Sequence, residues 1–378
     1  MATRNFPEIK KHLGFGMMRL PMIEEKMDNN RISEMVDAFI ANGFNYFDTA
    51  HGYHKGMSET AIKTCLTSRH NRNEYLLTNK LTDAFFKTEE EIRPLFESQL
   101  EACGVDYFDF YLIHSVHANN FDHYKKTRAY ETVMDLKSEG KVRHIGFSFH
   151  DKADVLDRVL AEWPEIEIVQ IQFNYFDYED LIVESRKVYE VARKHGKPIL
   201  VMEPVRGGTL VNLPEKAQAL FDNLRSETGS DSSNASYAVR FAATFDGIEV
   251  VLSGMSNMDQ LNDNMSYMKE FEPLNDKERD TCLKVADEFR NLGAIPCTSC
   301  RYCIEENQCP MDIRIPSMFS LYNKKLMFNK LNPWESYEDV TTEHGKASDC
   351  IKCGMCENVC PQHIEIRDKL TKVAEIFE

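Results

Sequence analysis

Eight of the eleven cysteines fall between Cys297 and Cys360, in two groups with the same triplet spacing. One is Cys297-x-x-Cys300-x-x-Cys303 with Cys309-Pro310 downstream; the other is Cys350-x-x-Cys353-x-x-Cys356-x-x-x-Cys360-Pro361. Three thiolates at i, i+3 and i+6 suit three corners of an iron–sulfur cubane, whereas structural zinc more often takes Cys-x-x-Cys pairs from separated segments. Zinc and unliganded structural thiols are the alternatives. A second set of reactive side chains closes apolar runs: Asp48 in FNYFDTA with Tyr53 just beyond it, Lys80 in YLLTNK, and His114 in FYLIH. Singly, these read as a helix cap, a loop aromatic, an ion-pair partner and a core histidine. Jointly they do chemistry. A tyrosine near its ordinary pKa of about 10 is a poor acid at neutral pH, but an adjacent ammonium favours its ionised form. Lys80 would supply that charge, Asp48 would balance a buried Lys80, and His114 would hydrogen-bond a carbonyl oxygen. Such a set suits hydride transfer to a carbonyl carbon with proton transfer to its oxygen.

These residues act together only if the elements bearing them converge. Apolar, mostly β-branched or aromatic runs occur around Leu13 to Leu20, Asn45 to Ala50, Tyr75 to Leu81, Phe108 to Val116, Val142 to Phe149, Ile168 to Tyr175, Pro198 to Pro204 and Glu249 to Gly254. Helical spacing fills the intervals, as in RISEMVDAFIANG, where Ile32, Met35, Val36, Phe39 and Ile40 share a face and Gly43 is a stop. Continuous apolar strands are buried on both faces, which favours a parallel sheet. Such repeats over roughly 285 residues match a (β/α)8 TIM barrel, with an open doubly wound sheet as the rival. In such a barrel the C-terminal strand ends line one site, and Asp48, Lys80 and His114 all lie there.

The barrel pattern stops after Phe289, where Gly293 and Pro296 punctuate the chain. The expected domains are therefore 1–292, a barrel, and 293–378, a small α-helical unit built on a repeat ending Cys-Pro-x-x-Ile-x-Ile. The segments PSMFSLYNKKLMF and IRDKLTKVAEIFE supply its helices, and Cys65, Cys103 and Cys282 read as core thiols of the barrel. The second cysteine unit resembles the run that holds 4Fe-4S clusters in bacterial ferredoxins, where the fourth cysteine ligates the other cluster. That resemblance implies two 4Fe-4S clusters, one on Cys297, Cys300, Cys303 and Cys360, the other on Cys350, Cys353, Cys356 and Cys309. The first unit departs from the pattern by placing five residues rather than three between Cys303 and Cys309.

The barrel resembles the aldo-keto reductases, from LGFGMMRLP through NYFDTAHGYHKGMSE, LLTNKL, YLIH and GFS to VQIQFNY. Barrel and tail together resemble the subgroup with a C-terminal ferredoxin-like domain. The resemblance implies a catalytic tetrad of Asp48, Tyr53, Lys80 and His114, with Tyr53 as proton donor. It implies Ser148 and Gln170 on a nicotinamide carboxamide, although Phe149 stands where an asparagine is common, and Met202 where an aromatic ring usually stacks. Arg206, Gly207 and Gly208 would cradle a pyrophosphate. Ser253 to Asn264 matches the adenosine-binding loop, with Ser253, Gly254, Gln260, Asp263 and Asn264 as contacts. That loop lacks the cation usual for a 2′-phosphate, so NADP(H) leads NAD(H) only narrowly.

The implied function is an oxidoreductase that moves hydride to or from a small carbonyl or alcohol substrate and exchanges electrons with a redox partner protein. Nicotinamide moves two electrons and each cluster one, so coupling ordinarily requires a flavin; the sequence shows no flavin motif, though the phosphate site would accept FMN. The rival function is a redox-sensing or docking protein whose barrel binds nucleotide and whose clusters are structural. A balance of 45 basic against 61 acidic residues, net −16, disfavours nucleic acid or an anionic membrane as partner. No apolar run of signal-peptide or spanning length is present, so a cytoplasmic location is expected. The substrate-facing loops carry no readable code.

Overall fold

The computed structural model describes residues 5–305, 309–327 and 334–378. Eight parallel strands close a barrel: β1 (Leu13–Gly16), β2 (Tyr46–Asp48), β3 (Leu76–Leu81), β4 (Phe108–Val116), β5 (Val142–Phe149), β6 (Ile168–Gln172), β7 (Ile199–Met202) and β8 (Ile248–Ser253). Neighbours in sequence are neighbours in space, and β1 pairs with β8 to complete the ring, with Phe15 opposite Ser253. The eight expected runs are these strands, and the open-sheet rival is excluded.

The apolar runs are continuous because these strands are covered on both faces: β2, β3 and β8 are buried at every position. At the N-terminal end the interior is filled by Tyr46, Leu76, Phe110, Ile168, Leu200 and Val250, joined by Phe6 and Ile9. Close packing there requires glycine at 146, where a Cβ would stand 2.5 Å from the Ile168 carbonyl oxygen. The Asn29–Ala41 helix starts at Asp28, whose carboxylate accepts the Arg31 N–H, and buries Ile32, Met35, Val36 and Phe39. Gly43 follows at φ +84°, as its expected stop requires.

Packing divides the chain into two compact units. One comprises residues up to Pro204 with Ala235–Leu274, and the other Val205–Asn234 with Asn275–Glu378. The second unit thus includes two helices upstream of residue 293, Glu215–Thr228 and Asp276–Arg290, which pack on one another. Its core is formed by Met318 and Phe319 of the Ile315–Met327 helix with Leu370 and Val373 of the Ile366–Phe377 helix. The expected helical segments are these two; Phe328 lies outside the described residues. A further helix, Trp334–Glu343, is tied to the C-terminus by stacking of Tyr337 on Phe377, centroids 4.9 Å apart. Cys65, Cys103 and Cys282 are all buried. Among the described residues no helix is long and apolar enough to cross a membrane.

Candidate functional site

Asp48 ends β2, Lys80 is the penultimate residue of β3, and His114 lies near the end of β4, so parallel pairing brings all three to one end of the barrel. Tyr53 reaches them from a tight turn in which His54 and Lys55 hold φ of +51° and +57°. The Lys80 ammonium donates to Asp48 Oδ1 at 2.6 Å and to the Thr49 carbonyl at 2.8 Å, and lies 3.5 Å from the Tyr53 hydroxyl. Both members of the ion pair are buried. Burial alone would discharge each; the attraction of Asp48, with a contribution from Tyr53, prevails at Lys80 and holds its pKa above the ordinary lysine value. The Asp48 carboxyl is pushed up by burial and pulled back by Lys80. We assign the pair as ionised, since a 2.6 Å charge-assisted contact out of water repays desolvation better than two neutral groups would.

His114 is buried, and burial together with the Lys80 charge and His150 holds its pKa well below the ordinary imidazole value, so the ring is neutral. Its Nδ1 is 2.7 Å from the Thr82 hydroxyl, and its ring lies edge-on to Tyr53, centroids 6.1 Å apart. Neutral imidazole, charged ammonium and phenol hydroxyl thus face the same space.

Beneath Lys80 lies a network that sequence reasoning missed. Glu59 accepts from Asn79 at 2.8 Å and Gln99 at 3.2 Å and bonds His51 at 2.8 Å. Asn79 Oδ1 in turn accepts the Lys80 backbone N–H, and Gln99 donates to the Lys80 carbonyl. The signal the sequence offered was Asn79, a polar residue inside the apolar run LLTNKL. The network fixes the backbone that aims Lys80.

Around this centre, Gln170 Nε2 lies 3.4 Å from Asp48 Oδ2, linking one expected carboxamide ligand to the tetrad. Ser148 accepts the Ser115 N–H at 2.7 Å, and Met202 ends β7. Phe149 is buried against Phe147, consistent with a packing role. On the segment expected to bind adenosine, Asn264 donates to the Ser253 hydroxyl at 2.8 Å; Gln260 accepts the Ser256 N–H, and Asp263 follows on the Met258–Met268 helix. Gly254 has a neighbour the sequence did not suggest: a Cβ there would meet the Arg19 side chain at 3.0 Å, and Arg19 pairs with Glu203 at 3.5 Å. In the second unit Gly207 and Gly208 hold φ of +64° and +91°, and Arg206 is buried with its guanidinium on the Pro296 carbonyl.

Cys297, Cys300, Cys303 and Cys360 line one small recess, walled by Ile315, Phe319 and Ile364. Burial raises all four thiols, that of Cys297 to about 11, and the same four interact electrostatically with one another. Among the described residues no three His, Cys, Asp or Glu side chains close on a single metal ion. Four soft donors around an apolar recess fit a cluster, whose assembly would deprotonate them. Burial likewise lifts Cys356 to about 12, with Cys350 and Cys309 as its thiol neighbours. Cys309 is brought there because Ile313 bridges to Gly345, where a Cβ would lie 2.1 Å from the Met311 carbonyl oxygen. Cys353 is exposed.

Residues 12–287 match the model of the aldo/keto reductase family, and residues 296–365 match a 4Fe-4S dicluster domain. The chain belongs to the aldo/keto reductase family and is an enzyme of that oxidoreductase class, carrying an iron–sulfur domain behind its barrel. An NADH-specific methylglyoxal reductase of Escherichia coli strain K12 is 28% identical over 187 residues, 44% of this chain and 54% of that protein. The chain thus spans about half of that relative's length. An uncharacterised oxidoreductase of Bacillus subtilis is 22% identical over 283 residues, 67% of this chain and 85% of that one. Among solved structures, the holo form of an aldo-keto reductase from Bacillus halodurans superposes with a TM-score of 0.60 at 24% identity, covering 73% of this chain and 92% of that chain. One from Klebsiella pneumoniae in complex with NADP and acetate gives 0.59 at 16%, covering 74% and 96%. These likenesses show the fold.

Proposed function

We propose that the protein reduces small aldehydes or ketones, or oxidises the corresponding alcohols, with NADP(H) or NAD(H), and exchanges single electrons with a partner protein through two 4Fe-4S clusters. The observation that carries the proposal is the Lys80 ammonium, 2.6 Å from Asp48 and 3.5 Å from the Tyr53 hydroxyl, with neutral His114 beside them. When bound, nicotinamide supplies or accepts the hydride at the substrate carbon. Tyr53 gives its proton to the carbonyl oxygen, and the Lys80 ammonium stabilises the phenolate left behind. Asp48 keeps Lys80 charged and aimed. In the tautomer whose Nδ1 accepts from the Thr82 hydroxyl, His114 carries its proton on Nε2 and donates it as a hydrogen bond to the same oxygen.

Ser148 and Gln170 hold the carboxamide, Met202 lies against the ring, Gly207 and Gly208 offer backbone amides to the pyrophosphate, and Ser253, Gly254, Gln260, Asp263 and Asn264 receive the adenosine. The NADP held by the Klebsiella neighbour and the NADH specificity named for the Escherichia relative support a nicotinamide cofactor without deciding which. Cys297, Cys300, Cys303 and Cys360 hold one cluster and Cys350, Cys353, Cys356 and Cys309 the other; once assembled, each carries one electron. Joining the two kinds of chemistry requires a two-to-one-electron converter such as FMN, which would take the phosphate site in exchange for the nicotinamide nucleotide rather than beside it. As family segments the domains divide at 292/293, between the two family matches, although packing groups 205–234 and 275–292 with the second unit; the protein works in the reducing cytoplasm, with neither nucleic acid nor membrane as partner.

The test is turnover. Iron-replete protein prepared anaerobically is given methylglyoxal and simple aldehydes with NADPH or NADH, with Tyr53→Phe as control, and bound flavin is sought by mass spectrometry. Oxidation of nucleotide that requires Tyr53 is expected. Nucleotide binding with no turnover of any carbonyl would favour the sensing or docking function instead.

A further inference from the structure

Arg206 follows β7 at the start of a segment whose glycines suit a phosphate, yet its own surroundings are those of the cysteines. It is 2% exposed, and its Nη2 donates to the carbonyl of Pro296, the residue before Cys297, at 3.3 Å. The next residue, Gly207, packs so closely on the same stretch that a Cβ would stand 2.2 Å from the Thr298 carbonyl oxygen. The backbones of 206–207 and 296–298 are therefore held together with Cys297 between the two contacts. The Arg206 guanidinium thus lies against the turn that carries Cys297. It is a permanent charge, since arginine does not deprotonate in proteins.

We infer that Arg206 belongs to the iron–sulfur site: it fixes the turn presenting Cys297 and tunes the cluster held by Cys297, Cys300, Cys303 and Cys360 to a more positive reduction potential. Reduction adds one electron, supplied in the test by a chemical reductant, and makes the cluster one unit more negative. A fixed cation in a poorly screened environment stabilises that reduced form more than the oxidised one. Arg206 is thus a positioning and tuning residue, and the pyrophosphate is left to the glycine amides. The inference rests on the two-cluster proposal.

Anaerobic potentiometric titration followed by electron paramagnetic resonance tests it on the whole protein, alongside iron content and equilibrium nucleotide binding. In Arg206→Gln one midpoint should move to more negative potential while the other stays, with nucleotide affinity within about threefold of wild type. Arg206→Lys, which keeps the charge, should restore the midpoint. An iron-replete Arg206→Gln protein with both midpoints unmoved would overturn the inference, above all if nucleotide affinity falls tenfold or more. Equal movement of both midpoints would overturn it too, by showing a general disturbance. Should Arg206→Gln fail to assemble clusters, Arg206→Lys decides, and a midpoint displaced there despite the retained charge counts against the inference. Wild-type protein that binds no iron on reconstitution fails earlier, at the cluster proposal, and removes the inference with it.

Discussion

The side chains of Lys80 and Asp48 form an ion pair across the ends of β3 and β2 with 1% and 5% of their surfaces exposed. An ion pair so placed is held by mutual dependence, because removing one partner leaves the other charge buried and uncompensated. Asp48→Asn should therefore destabilise the fold by about 3 to 5 kcal/mol. Anaerobic denaturant titration measures this, and a loss under about 1 kcal/mol would show that Lys80 is discharged or hydrated in the folded protein.

Tyr53→Phe removes the proposed proton donor and leaves the Lys80–Asp48 contact in place. Carbonyl reduction should fall by about 100- to 10,000-fold, the usual worth of a general acid, with nucleotide affinity nearly unchanged. Lys80→Met should act similarly and raise the apparent pKa of the activity profile. Steady-state rates over pH check both, and a Tyr53→Phe enzyme retaining more than a tenth of wild-type activity removes Tyr53 from the mechanism.

Glu167, just before β6, receives hydrogen bonds from His144, Lys137 and the Ile145 N–H. Burial alone would raise its carboxyl, but these bonds outweigh it and hold the pKa at about 2. Its folded value lies below its unfolded one, so the stabilisation is fully present above the unfolded value of about 4.3 and is lost as pH falls toward 2. A shift of this size corresponds to about 3 kcal/mol as an upper figure. Glu167→Gln should lower stability at pH 7 and narrow the gap to wild type below pH 4. Parallel acid-unfolding curves for the two proteins would contradict the assignment.

Most of this site was legible because parallel pairing makes chain pattern equivalent to position: polar residues at the ends of apolar runs can only meet at the C-terminal mouth. Asp48, Lys80 and His114 were found that way. The Glu59–Asn79–Gln99 network was not, because its members look like ordinary strand and helix polar residues until burial is known. Arg19 escaped for another reason: its proximity to Gly254 depends on β1 closing against β8, a pairing between the two ends of the barrel sequence. The helix Trp334–Glu343 has no strong apolar period of its own and is held by tertiary contacts such as that of Tyr337 with Phe377.

In the proposed adenosine loop, Gly254 and Gln260 take the places where a cation would meet a 2′-phosphate, and the basic side chain near Gly254, Arg19, is engaged by Glu203. Discrimination between NADPH and NADH should therefore stay within about a hundredfold, since a charge-assisted phosphate contact contributes roughly 1.5 to 3 kcal/mol. Equilibrium titration with both nucleotides decides it. A thousandfold preference for NADPH, abolished in Arg19→Met, would mean that Arg19 leaves Glu203 to bind the phosphate.

Two cubanes on eight cysteines require about eight iron and eight sulfide per chain. By spacing alone the open ligand was Cys309, separated from Cys303 by five residues; in the fold Cys309 interacts electrostatically with Cys356, and Cys360 lines the same recess as Cys297, Cys300 and Cys303. The proposed arrangement gives each fourth cysteine to the triplet of the other unit. Cys309→Ala should then damage the cluster on Cys350, Cys353 and Cys356 and spare the one on Cys297, Cys300 and Cys303; Cys360→Ala should do the reverse. Iron analysis with electron paramagnetic resonance of the reduced variants separates the two. Four iron per chain after full reconstitution, zinc in place of iron, or Cys309→Ala damaging the cluster of its own triplet would defeat the crossed arrangement.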